Sequence, residues 1–356
     1  MWKVNFKSNR GGTGQVKSKQ SRVWKAVAGA VLLMGIMISL SGCGDVKAKS
    51  EETADGAKLQ KVRIGGDSSL FSLQFRVAKE QGLFEKNGID AEISTFSFGI
   101  DTLNAVLTDR VDVGEAMDYA ALSALSKGDL KVLSLFSSPK ETSSKLFARD
   151  GISRPEDLIG KKLGVQKGTV NEYIWGKYFE TFHIDKKDVT LVPLQSTAEI
   201  LAAYDRGDIQ AAWFGTAFFD KAEKVEGSKA LNDLSAINIR TKGFLVAKAA
   251  LVKDNPQISA GLNKALAEAS KYIADHPEEA AELAFKEVKI PKDNALREIK
   301  NEWEFDVRFN QEDYDQLKEI KEWSVANGYI EQDFKLDDKL ALEGLKEAFP
   351  DKVTIQ

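Results

Sequence analysis

The sequence predicts an α/β fold made of two half-domains with a cleft between them. Three observations carry this reading. Short strand-type runs alternate with helical periodicities of roughly 10–15 residues, the mark of βαβ units and mainly parallel sheets flanked by helices. The alternation runs to about residue 136, then restarts near residue 145. From Pro256 onward the pattern turns almost wholly helical, with Ala260, Leu262, Ala265, Leu266, Ala269, Tyr272 and Ile273 repeating at three and four.

The elements follow in order. Val62-Arg63-Ile64-Gly65 reads as the first strand, ending in the turn Gly66-Asp67-Ser68-Ser69. Helical spacing covers 71–82 and stops at Gly82; 89–93 is the second strand. A helix over 99–108 precedes Val111-Asp112-Val113-Gly114, the third strand. A helix from Met117 stops at Gly128, and 130–136 is the fourth strand. In the second series, 145–148 is a strand and 153–158 a capped turn with Pro155 early, where proline is tolerated. Strands follow at 189–194 and 209–214, with a Ser196/Glu199 capping box starting the helix between them. Phe244-Leu245-Val246-Ala247 returns the chain to the first half, and Tyr314, Leu317, Ile320 and Trp323 mark a late helix.

The stretch from Lys162 to Tyr173 reads as a buried strand, a Lys167-Gly168 turn and a helix capped by Thr169. Such a junction aims unpaired backbone N–H groups at one point, where open α/β sheets bind ligands. The run lacks the spacing of a P-loop and of a dinucleotide fingerprint. It predicts a small-ligand cradle, with Glu172 one turn into the helix.

The 356 residues suffice for two domains of ordinary size. Residues 1–25 hold seven basic residues and no acid, and an apolar run of about 15 residues follows over 26–40, short for a membrane span of ~20. That is a signal-peptide pattern, and Leu40-Ser41-Gly42-Cys43 after it resembles the lipobox of bacterial lipoproteins. The resemblance implies cleavage after residue 42 and a lipid on Cys43, the chain's one cysteine. Residues 43–60, small and charged, then form a flexible tether. Removing 1–42 leaves 43 basic against 54 acidic residues, a net charge of −11, which argues against nucleic acid as a partner.

Taken together, Val62-Arg63-Ile64-Gly65, the run Ala78-Lys79-Glu80-Gln81-Gly82-Leu83-Phe84-Glu85-Lys86-Asn87-Gly88-Ile89, Val111-Asp112-Val113-Gly114, Lys167-Gly168-Thr169 and Gly207-Asp208-Ile209-Gln210-Ala211-Ala212 are specific. In that order the chain resembles the substrate-binding proteins of ABC importers in the nitrate/sulfonate/taurine group, from about residue 61 to 350. The resemblance implies the type II periplasmic-binding-protein fold. One lobe is then 61–138 with 243–356, and the other 139–242. It implies a monomeric receptor, lipid-anchored on the extracytoplasmic face of the membrane, that hands a small organic solute to a permease and its ATPase.

Family position puts the ligand against loops after the strands, at Ser68, Ser69, Phe98, Met117, Asp118, Tyr119, Gly168, Thr169, Glu172, Trp213 and Thr216. Two acids depart from the common pattern there. Glu172 also fits a capping box with Thr169, and Asp118 also fits an N-cap, so either acid has a helix-end alternative. If they do face the ligand, a carboxylate ~4 Å from an anion costs about 4 kcal/mol at an effective dielectric of 20. A helix N-terminus returns only about 0.3–2 kcal/mol. A zwitterion such as a taurine-like amino-sulfonate, or an amine, then fits better than a plain anion.

Enzyme chemistry is not expected. The two histidines, His183 and His276, read as surface positions, no cluster has metal-ligand spacing, and no nucleophile–base pair is visible. No cofactor is implied. The alternatives are a pyrimidine-precursor (thiamine-related) binding protein or enzyme of the same fold, and a ligand sensor for a receptor kinase.

Overall fold

The structure, a computed structural model, describes residues 59–355. Its strands are β1 (Gln60–Asp67), β2 (Ile89–Phe96), β3 (Val113–Met117), β4 (Leu130–Pro139), β5 (Ser144–Ala148) and β6 (Lys162–Val165). Then come β7 (Thr190–Pro193), β8 (Ala211–Gly215), β9 (Lys229–Asp233), β10 (Gly243–Lys248), β11 (Trp303–Asn310) and β12 (Val353–Thr354). They form a seven-stranded sheet in the order β12-β11-β4-β10-β3-β1-β2 and a five-stranded sheet in the order β7-β6-β8-β5-β9. The α/β class stands, with each sheet mixed. β1 runs parallel to β2 and β3, whereas β10 lies antiparallel between β3 and β4. In the second sheet β6 is parallel to β7 and β8, and β5 is antiparallel to β8 and β9.

Two strands depart from the helical reading of the C-terminal part, β11 and the short β12 that pairs with it. β11 pairs antiparallel with β4. Its residues Trp303, Phe305, Val307 and Phe309 alternate with Glu304, Asp306 and Arg308, a period of two that marks a strand. Helical stretches on both sides mask it.

The first sheet buries Val62, Ile64, Val113, Val132 and Leu135 against Phe75, Leu103 and Leu266 of the covering helices, all fully inaccessible. The second has a smaller core of Phe147, Ile200, Tyr204, Ile209 and Phe214. Each such side chain contributes roughly 1.5–3 kcal/mol of burial.

The chain crosses between the sheets from β4 to β5 and from β9 to β10. A third link is made by packing. The helix Gln311–Ala326, after β11, lies on the helix Val170–Thr181, after β6. Trp323 meets Tyr173 edge-on at 5.1 Å and donates its indole N–H to Glu180. Gly176 permits the approach, because a Cβ there would stand 2.2 Å from the Trp323 ring. Among the described residues no helix is long and apolar enough to cross a membrane.

Candidate ligand-binding cleft

A cavity of about 330 Å³ lies between the two sheets, within the range of small-ligand sites. The turns after β1, β3, β6 and β8 face it, together with residues of both crossings, Pro139, Ser143 and Thr241 among them. Strand ends point here because a parallel βα unit turns from strand to helix at the carboxyl edge of the sheet.

On the first-sheet side, β1 ends in Asp67, whose carboxylate accepts from the Ser69 amide at 2.9 Å and the Ser69 hydroxyl at 2.8 Å. Behind it, fully buried Glu115 accepts from the Asp67 amide at 2.7 Å, and its Oε2 has no partner. Burial pushes both carboxyls up, Glu115 well above its usual range, with the Asp67 charge adding to the rise. Arg76 stands nearby and donates to the Asp67 carbonyl at 2.7 Å. Phe98, Gly99 and Ile100, at the start of the helix Gly99–Leu107, and Met117 complete the central part.

The same wall carries Glu298, from the helix Lys292–Asn301, and Trp303 at the head of β11. Glu298 is 7% exposed, and its Oε1 has no hydrogen-bond partner. Burial raises its carboxyl to about 7, with a hydrogen bond from Trp303 and the charge of Arg297 offsetting part of the rise. Trp303 stacks on Phe71, which also lines the cavity, at 6.1 Å.

The second-sheet side is uncharged. Gly168 takes φ +75°, a left-handed turn that suits glycine, and sets Thr169 to cap the helix Val170–Thr181. The Thr169 hydroxyl accepts from the Asn171 amide and donates to the Gln166 carbonyl. Gln166 donates to Thr197 at the start of the helix Thr197–Arg206. These four residues line the cavity, so two helix N-termini open onto it. From β8 come Trp213, buried with an indole N–H that donates to no protein atom, and Thr216, whose hydroxyl donates to the Ser143 carbonyl. No lysine, arginine or histidine is among the lining residues.

Of the residues expected to contact ligand, Ser69, Phe98, Met117, Thr169, Trp213 and Thr216 line the cavity, and Ser68, Asp118, Tyr119, Gly168 and Glu172 do not. Ser68 is exposed. Asp118 is fully buried behind the wall, where it accepts from the Tyr119 amide at 2.8 Å, the Lys242 amide at 3.1 Å and the Gln316 side chain at 2.7 Å. Burial raises it to about 6 against those donors. Glu172 accepts from the Gly168 amide at 2.8 Å and the Tyr119 hydroxyl at 3.1 Å, so the two latch one helix to the other. Both acids take protein donors, but not as the caps expected: Met117, not Asp118, stands at the N-cap of the helix Asp118–Leu125, and Glu172 takes the Gly168 amide rather than that of Thr169. Cys43 lies outside the described residues.

Sequence reasoning passed over Asp67 and Glu298. Asp67 sat in the turn after the first strand without being singled out. Glu298 had a signal: it shares the buried stripe of its helix with Ala295 and Ile299, a place for an apolar side chain. Among the described residues no cluster suits a metal ion, and both histidines are exposed.

A family model described as NMT1/THI5 like matches residues 72–280, more than half of the chain. A Bacillus subtilis (strain 168) protein named "Putative aliphatic sulfonates-binding protein" is 25% identical over 261 residues, 72% of this chain and 76% of that one. The taurine-binding periplasmic protein of Escherichia coli (strain K12) is 27% identical over 221 residues, 59% of this chain and 68% of its own. Among solved structures, the periplasmic aliphatic sulphonate binding protein of Escherichia coli superposes with a TM-score of 0.70 at 20% identity, over 79% of this chain and 92% of the other. That likeness is one of fold, the periplasmic-binding-protein fold.

Proposed function

The chain belongs to the NMT1/THI5-like family, and on that premise we propose that it is the extracytoplasmic solute-binding component of an ABC importer. It captures a small organic sulfonate or amino-sulfonate in the cleft and hands it to a permease. The observation that carries the reading is the second-sheet wall. It brings two helix N-termini and Trp213, whose indole N–H has no protein partner, to one cavity, with no charge of its own. An acid group seated there gains about 1.5–3 kcal/mol per hydrogen bond and meets no like charge on that side. The names of the relatives point the same way. The solute draws the two lobes, 61–138 with 243–356 and 139–242, together about the crossings, and Cys43 tethers the receptor to the membrane.

Calorimetry of the mature protein with C2–C4 alkanesulfonates and amino-sulfonates tests the proposal. Binding of at least one of them, lost in a Trp213→Ala variant that still melts cooperatively, is the expected result. Binding that survives Trp213→Ala places the solute elsewhere. For the tether, Cys43→Ala should leave the precursor uncleaved or release the protein, and a variant still processed normally and held at the membrane would contradict it.

A further inference from the structure

We infer that Glu298 forms a subsite for a cationic amine and is the residue that separates aminated from unaminated acids. The inference rests on the cleft reading above and deepens it. Glu298 lines the cavity, is more than nine-tenths buried, and has an oxygen with no protein partner. A buried acceptor left unmatched costs about 1–3 kcal/mol, so such a group calls for a partner. No basic side chain lines the cavity to provide one, and the nearby Arg297 instead reaches Asp220 at 4.0 Å. Asp67, the other acid lining the cavity, is likewise buried, but its carboxylate takes the Ser69 donors and has the charge of Arg76 beside it.

The surroundings suit an ammonium more than a metal ion. Phe71 and Trp303 stack as an apolar aromatic surface on the same wall, and two carboxyls with aromatic neighbours favour an organic cation. The chemical class is a primary ammonium joined by a short chain to an acid group, which the opposite wall receives.

Burial sets Glu298 near neutrality in the free protein. A cation beside it favours the ionised form, so an amine should drive off a proton at neutral pH. The charged groups around it are Arg297 on its own helix and Glu302 just beyond; Trp303 of β11 is its hydrogen-bonding neighbour, and Asp67 of β1 shares the wall.

The test compares taurine with isethionate, which carries a hydroxyl in place of the ammonium, on wild type and on Glu298→Gln. Wild type should bind taurine at least tenfold tighter than isethionate. Glu298→Gln should weaken taurine at least tenfold and leave isethionate within threefold. Calorimetry of wild type in two buffers of different ionisation enthalpy should show proton release at pH 7 with taurine and none with isethionate, which needs no variant. If Glu298→Gln weakens both ligands alike, or leaves taurine binding unchanged, the subsite is wrong while the cleft reading stands. If wild type binds neither ligand and no other sulfonate, both readings fall.

Discussion

Where β1, the helix Lys292–Asn301 and β11 face the cavity, the wall carries two carboxyl groups, Asp67 and Glu298. Where β6 and β8 face it from the other sheet, the wall carries two helix N-termini and the Trp213 indole and no charge. Strand ends turn into helix starts on both walls, except at Glu298 and Trp303, where a helix end turns into the start of β11. The difference lies in the side chains the turns deliver. A solute with one acid and one amine meets a matching partner on each side, and a plain dianion meets a carboxylate whichever way it turns. Fold supplies the cleft, and in the proposed reading the charge asymmetry of its walls selects what enters.

The largest expected effect sharpens the contrast between acids on the wall and acids behind it. Asp118 has three donors and no cavity surface. Its folded pKa, about 6, lies above its usual value of 3.8. The stability this shift contributes is therefore full below pH ~4 and is lost as pH rises through 6. The stability of wild type relative to Asp118→Asn should fall by about 2 kcal/mol between pH 4 and pH 7, from somewhat under two units at 1.36 kcal/mol each. Urea unfolding of both proteins at the two pH values measures it. A pH-independent difference would show that Asp118 ionises without cost.

Trp213→Phe probes the donor wall. The ring stays and only the N–H is lost, so affinity for a sulfonate should drop by about 1.5–3 kcal/mol with stability little changed. Calorimetry with a bound sulfonate decides this, and equal affinity would assign the Trp213 N–H no role.

Next comes the link that holds the walls at their spacing. Gly176→Ala drives a methyl group into Trp323, and overpacking of this kind costs about 1–3 kcal/mol. Thermal or urea unfolding should show the loss, and Gly176→Ala with Trp323→Leu should recover part of it. No loss would mean that the two helices separate freely.

The smallest effect is Tyr119→Phe, which removes the hydroxyl held by Glu172 and should cost about 0.5–1.5 kcal/mol. Scattering with and without solute shows whether this latch belongs to the closed state. A variant whose free form is more extended and whose bound form equals wild type fits that role, and an unchanged free form removes it.

Much of this architecture was legible in the sequence, because strands at a sheet centre and helices that cover them write strong periodicities. Thr169 and Trp213 could be placed in the cleft from their positions just after, and at the end of, buried strands. β11 was not legible, since its two-residue period sits between long helices whose pattern dominates the window. Nor was the division of labour among the acids. Asp118, Glu172, Asp67 and Glu298 all stand at or near element ends, and sequence alone does not say which carboxyl meets a backbone N–H. Only the packing of Gln316 and Lys242 onto Asp118, and the absence of any such donor at the free oxygen of Glu298, separates them.

The most direct test of the two-wall account is a crystal structure of the mature protein with taurine. The sulfonate should lie against Thr169, Trp213 and Thr216 and the ammonium within hydrogen-bond distance of Glu298. A taurine lying the other way round, or bound outside the cavity between the two sheets, would contradict it.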